Sequence, residues 1–304
     1  MTDLIIREPI HLNEPGAVYN RVKVMPGVSG VVLEGFTVKL DPTDTTAIFS
    51  SVVEIKDASD VVLRNLTIRS GRAPATSTES RPGELTARGI TLDRCERVTI
   101  EGCDISRCVD GIVPIGGRDI AILRNRIHHT RGSPISGSGT MGLRIEGNRL
   151  SSVDPIGWGD TANDGDHADM VHLWTKGMTA PMGPVVIRGN VIDQGDGVAI
   201  LGVVLQDNGR VGFSGVDISA NIIHLGNAQG IAVGGILAGG RIVANVMTPT
   251  PGTLAKRAPV IVLRGSTTGL TVANNVIGPS KTIAAAWPDN TFLTAKTIAE
   301  LVRL

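Results

Sequence analysis

The chain has 304 residues, and its 29 basic and 29 acidic side chains cancel to a formal net charge of zero. With no basic stripe, a nucleic-acid partner is not expected, and no run of 18 apolar residues exists to cross a membrane. Four Phe, three Trp and one Tyr beside 38 Gly are too few rings for an ordinary globular core and suit a stack of thin layers of small and β-branched side chains.

In chain order, residues 1–27 read as a lead-in or N-terminal cap, with short strands at Ile5-Ile6 and Val22-Lys23-Val24. The first residues carry no basic segment followed by an apolar one. The expected locations are therefore the cytoplasm as encoded, a phage or virion particle, or a secreted form with its signal removed.

From 28 to 278 a short pattern recurs in one register: an aliphatic residue, any residue, a small or polar residue, then Asn. It ends at Asn125, Asn148, Asn190, Asn221, Asn245 and Asn275, and the same frame places Phe36, Leu66 and Cys103 where Asn would stand. The steps between these marks are 30, 37, 22, 23, 42, 31, 24 and 30 residues. Such periods indicate a solenoid, a propeller or an array. Helical repeats are excluded by the period-two alternation rich in Val and Ile. A propeller blade needs about 40–45 residues, and leucine-rich repeats need several fixed leucines. A parallel β-helix fits: stacked coils bring strands about 4.8 Å apart, and Asn at a bend hydrogen-bonds along its own ladder. The expected fold is all-β, a single-stranded right-handed parallel β-helix of about nine or more coils in one domain. The repeats stop at 279, and the spacing of Phe292, Ile298, Leu301 and Val302 predicts a helix over 291–304 in a C-terminal cap. Cys95, Cys103 and Cys108 are expected as buried free thiols.

A second strand in each coil aligns Arg88-Gly-Ile-Thr-Leu92, Asp110-Gly-Ile-Val-Pro114, Asp169-Met-Val-His-Leu173, Asp196-Gly-Val-Ala-Ile200 and Gln229-Gly-Ile-Ala-Val233. Asp110-Gly111 reads as a turn. The two longest steps carry insertions just before this strand, so both are expected to wall one groove. The second holds Asp160, Asn163, Asp164, Asp166, His167, Asp169, His172, Trp174 and Lys176. On this alignment Asp169 and Asp196 lie on adjacent coils with backbones about 5 Å apart and side chains free to splay, so they can act as a carboxylate pair on a glycosidic bond at either the retaining separation of about 5–5.5 Å or the inverting one of about 6.5–9.5 Å. Crowded like charges raise one pKa and make that group a general acid. His172, outward on its strand, assists; Asp166 and His167 lie close by. Trp174 is a stacking platform for a sugar, and Lys176, Gln229 and Arg88 are further substrate contacts, with Arg72 and Arg81 beside the first insertion. Asp160, Asp164 and Asp166 around a Gly turn are candidate calcium ligands, and no cofactor is otherwise required. The only Tyr, Tyr19, is remote, so a Tyr base is excluded. His128 and His224 share one place after Asn125 and Asn221 and read as coil geometry.

The order of His167-Ala-Asp169-Met-Val, Gly195-Asp196-Gly and Gln229-Gly-Ile-Ala-Val resembles the motif series of the pectin-lyase-like β-helix superfamily. That superfamily includes polygalacturonases, polysaccharide lyases, epimerases and phage tailspikes. The resemblance implies Asp169 and Asp196 as members of a carboxylate set. Gly197 stands where a second Asp is expected and Gln229 where a His is expected, so a polygalacturonase proper is not implied. The leading expectation is a glycoside hydrolase acting on a polysaccharide or oligosaccharide. A lyase or epimerase is the second, and a non-catalytic glycan-binding or structural solenoid of the tailspike type, for which a homotrimer is one arrangement, the third.

Overall fold

The computed structural model describes residues 1–41, 51–70, 87–155, 168–235, 237–251, 258–279 and 281–294. Over these the chain winds as a right-handed parallel β-helix with three strands per coil. Every described pairing is parallel, and three sheets of ten, ten and eleven strands run the length of the stack. Sheet A, which carries the site, comprises Leu4–Ile6, Val22–Val24, Ser51–Lys56, Arg88–Asp93, Ile112–Ile115, Ile135–Ser138, Asp169–Trp174, Leu201–Gln206, Gln229–Gly234 and Val260–Arg264. Sheets B and C follow it in each coil. No helix among the described residues is long and apolar enough to cross a membrane.

Period-two alternation becomes depth. In sheet A, Val53, Ile90, Ile112, Ile135, Val171, Val203 and Ile231 stand directly over one another and are wholly buried. Thr91, Val113, Ser136, His172, Val204 and Ala232 form the neighbouring column, which faces outward. The residue before the buried column is often Gly because the chain turns inward there. A Cβ on Gly111 would lie 2.3 Å from the Pro134 carbonyl oxygen and 2.5 Å from Ile127 Cγ2.

The Asn ladder forms at the corner between sheets B and C. Asn190 donates from its backbone N–H and from Nδ2 to Asn221 Oδ1, each at 2.9 Å, and Nδ2 also donates to the Ile145 carbonyl at 2.9 Å. The same bonds link Asn125, Asn148, Asn221, Asn245 and Asn275, and Asn290 adds a rung that the repeat does not announce. Phe36, Leu66 and Cys103 fill the column in the first coils and are buried. The three thiols are free and buried, and desolvation pushes Cys103 and Cys108 up to about 12.

Two boundaries differ from expectation. Within residues 1–27 the strands expected at Ile5-Ile6 and Val22–Val24 are present, and Leu4–Ile6, Ile10–Asn13 and Val18–Tyr19 already supply one strand to each sheet, so the coils begin before residue 28. At the other end, Thr291–Phe292 is a strand pairing Val276–Ile277, and the helix spans Lys281–Ala286. Asn290 joins the ladder and so commits the next two residues to sheet C. The rest of the expected helix, 295–304, lies outside the described residues.

Candidate active site

Sheet A strands begin after the corner leaving sheet C, and Arg88 and Asp169 open the two that lie within the longest steps of the repeat. The residues two before the buried column are Arg88, Asp110, Ser133, Asp169, Leu201 and Gln229, one from each of six successive coils. They form the rim of a groove whose floor is the outward column.

Asp169 is the chemically distinctive member. It is 8% exposed, and its backbone N–H donates to Ser133 Oγ at 3.0 Å. Burial pushes its carboxyl up to about 7, because a charge there loses its water. His172 Nδ1 lies 3.4 Å from Asp169 Oδ2, and His172 Nε2 is 3.1 Å from Gln206 Oε1. If Nε2 donates to that oxygen, Nδ1 is left as the acceptor facing the protonated Asp169 carboxyl. Trp174 packs edge-on against His172, with ring centroids 5.2 Å apart.

Two adjoining cavities open on these groups. One of about 450 Å³ is lined by Asp169, His172, Leu201, Val204, Gln206, Gln229, Ala232, Val262 and Arg264, among others. The other, of about 280 Å³, is lined by Arg88, Asp110, Ser133, Ser136, His172, Trp174, Lys176, Gln206 and Asn208. His172 and Gln206 belong to both, so the two form one groove along sheet A. It has an apolar floor on one side and a polar half with two cations and a Trp on the other.

Asp169, His172, Trp174, Lys176, Gln229 and Arg88 are thus brought together, and Asp196 is not. Asp169 pairs with Leu201, so the strand beside it is Leu201-Gly-Val-Val-Leu205, five residues beyond the segment expected there. Residues 195–197 are spent on the corner: Gly195 is left-handed (φ 58°), and a Cβ on Gly197 would lie 2.5 Å from the Val153 backbone N and O. The two Gly-Val segments have nearly the same pattern, and this tight passage decides between them. Asp196 lines a separate cavity of about 210 Å³ with His129, Thr130, Ser152, Asp154 and Gly197. There the Ser152 hydroxyl, and less strongly His129, hold its carboxyl below the usual range.

Sequence reasoning passed over Asp110, Ser133 and Gln206. Asp110, a turn residue by its Asp-Gly pair, stands in the rim column two residues before Ile112. Its Oδ1 accepts from the Ser133 N–H at 3.0 Å and its Oδ2 lies 3.4 Å from Arg88 Nε. Asp110 and Asp169 are two coils apart with Ser133 between them, so their backbones are about 10 Å apart at roughly 4.8 Å per coil. Asp160, Asp164, Asp166, His167, Asn163, Arg72 and Arg81 lie outside the described residues. Among the described residues no group of three or more His, Cys, Asp or Glu side chains could hold a metal ion.

The stacked parallel coils agree with comparison to known proteins. The chain matches the right-handed β-helix region family over residues 10–167 and 88–277, and it belongs to that family. Among solved structures it is similar to PfbA, a surface adhesin of Streptococcus pneumoniae, at 12% identity over 90% of this chain and 78% of that one, with a TM-score of 0.34. A second structure of that adhesin matches at 10% identity over 95% and 84% of the two chains, with a TM-score of 0.37. The Dettilon tailspike protein matches at 11% identity over 96% of this chain and 60% of that one, with a TM-score of 0.36. No curated protein matches the chain.

Proposed function

We propose that the sheet A groove binds a glycan and hydrolyses it, with Asp169 as the proton donor to the leaving oxygen. The observation that carries this reading is a buried carboxyl, raised to about 7 and 3.4 Å from an imidazole nitrogen, opening on a cavity of about 450 Å³. A general acid works best when its pKa lies near the working pH. Asp110 replaces Asp196 as the second carboxylate. Its backbone separation of about 10 Å from Asp169, less the reach of two side chains, suits a water-activating partner, for which carboxyl groups about 6.5–9.5 Å apart are needed. Arg88 and the Ser133 amide orient that carboxylate. Trp174 offers a ring face edge for a sugar, and Lys176 and Arg264 supply charge at the two ends.

The test is a polysaccharide panel on wild type and Asp169→Asn. New reducing ends from wild type alone support hydrolysis. Products absorbing in the near ultraviolet would mean elimination, the lyase reading. A non-catalytic glycan-binding groove is the second reading, favoured by the apolar lining of Leu201, Val204, Ala232 and Val262. Binding on a glycan array without cleavage, and unchanged in Asp169→Asn, would establish it in place of the first.

A further inference from the structure

Outside the groove, on sheet C, two consecutive histidines point at each other. His128 Nδ1 and His129 Nδ1 are 2.6 Å apart, with the rings at 79° and centroids 4.9 Å apart. Neighbours on a strand normally face opposite ways. Here His129 is left-handed (φ 52°), as are Arg107 and Ser152 in the coils on either side, so the recurring bend turns both rings outward together. The far nitrogen of each ring meets a carboxylate: His128 Nε2 lies 3.3 Å from Asp104 Oδ1, and His129 Nε2 lies 3.3 Å from Asp196 Oδ2. Arg126 occupies the other oxygen of Asp104 at 3.1 Å.

Counting hydrogens exposes a deficit. The contacts Asp104–His128, His128–His129 and His129–Asp196 need one hydrogen each, and two neutral imidazoles carry two between them. A third proton would make the pair cationic. With both Nε2 atoms donating to their carboxylates, both rings stay neutral and both Nδ1 lone pairs converge on one point. That is the donor arrangement of a metal-binding histidine pair, each ring held by an outer carboxylate that fixes its tautomer.

We propose that His128 and His129 bind a divalent first-row transition metal, of the class of zinc, nickel or copper, through their two Nδ1 atoms, with Asp104 and Asp196 as outer partners. Imidazole suits these ions, and water completes the coordination. Metal–nitrogen bonds of about 2.0–2.1 Å require the two nitrogens to open to about 3.3 Å. His129, whose side chain is 48% exposed, has room to make that movement. This site is independent of the groove and gives Asp196 a role there in place of the catalytic one.

The experiment is titration of the untagged full chain with zinc, nickel or copper ion alone, followed by calorimetry. One equivalent is expected to bind. His128→Gln and His129→Gln should each weaken binding at least tenfold, Asp196→Asn about tenfold, and His11→Gln and His224→Gln not at all. Circular dichroism on each variant, without metal, separates a lost site from a lost fold. No binding of any of the three ions by wild type overturns the proposal, as does binding that persists unchanged in a folded His128→Gln/His129→Gln double variant.

Discussion

Replacing Asp169 by Asn keeps the side-chain shape and the capacity to donate to His172 Nδ1, but removes the charge that burial penalises. The carboxyl is raised from 3.8 to about 7, a difference worth about 4 kcal/mol at roughly 1.36 kcal/mol per unit. The sign follows from proton binding. Between pH 4 and 7 the folded chain holds a proton that the unfolded chain has released, so this residue's contribution falls as pH rises and levels off above 7. Asn does not titrate. Wild type and Asp169→Asn should therefore have similar stability near pH 4, and the variant should lead by up to about 4 kcal/mol at pH 8. For 304 residues, an unfolding entropy of about 2.1 cal/mol/K per residue makes that roughly 6 °C in melting temperature. Melts of both proteins from pH 4.5 to 8.5 measure it, with all groups common to both cancelling in the difference. His172 is close enough to couple, so the comparison is repeated in a His172→Gln background, where the divergence should persist. A difference that stays constant with pH would show that Asp169 titrates like an exposed carboxyl, and the general-acid assignment would go with it.

If Asp169 is the acid, glycan cleavage should decline as pH rises through about 7, read from a kcat/KM profile, and Asp169→Asn should cost about 10²–10⁴-fold in rate; an activity that rises across that range contradicts the assignment. Asn221→Ala leaves the Asn190 N–H and Nδ2 and the Ile187 carbonyl without their ladder partner. At about 1–3 kcal/mol per buried unmade bond, at least about 3 kcal/mol should be lost, and a urea midpoint within error of wild type would refute the ladder's role. Gly111→Ala forces a methyl to 2.3 Å from the Pro134 oxygen. Overpacking there should cost about 1–3 kcal/mol, visible as a lower melting temperature, whereas a neutral substitution would mean that the corner yields.

Much of the architecture was legible because it is local and repeated. Alternation told which side chains go inward, and the spacing of Asn125, Asn148, Asn190, Asn221, Asn245 and Asn275 marked one bend per coil, since an amide at that bend can satisfy itself only from its own copies above and below. Asn290 escaped because its step from Asn275 is only 15 residues, shorter than any in the repeat. The rim residues Arg88, Asp110, Asp169 and Gln229 were aligned correctly for the same local reason, and so the groove's place on one sheet was readable too.

What sequence could not resolve was register across a corner of unknown length. Asp196-Gly-Val and Leu201-Gly-Val fit one pattern equally well, and the choice between them rests on contacts of Gly195 and Gly197 with Ser152 and Val153 from the previous coil. Those contacts exist only once the coils are stacked. The slip of five residues moves one carboxylate out of the groove and beside His129, and leaves Asp110 as the partner on the rim. The chain's own pattern therefore determined that it coils and which faces are buried; the stacking of coil on coil alone decided which acids share a cleft.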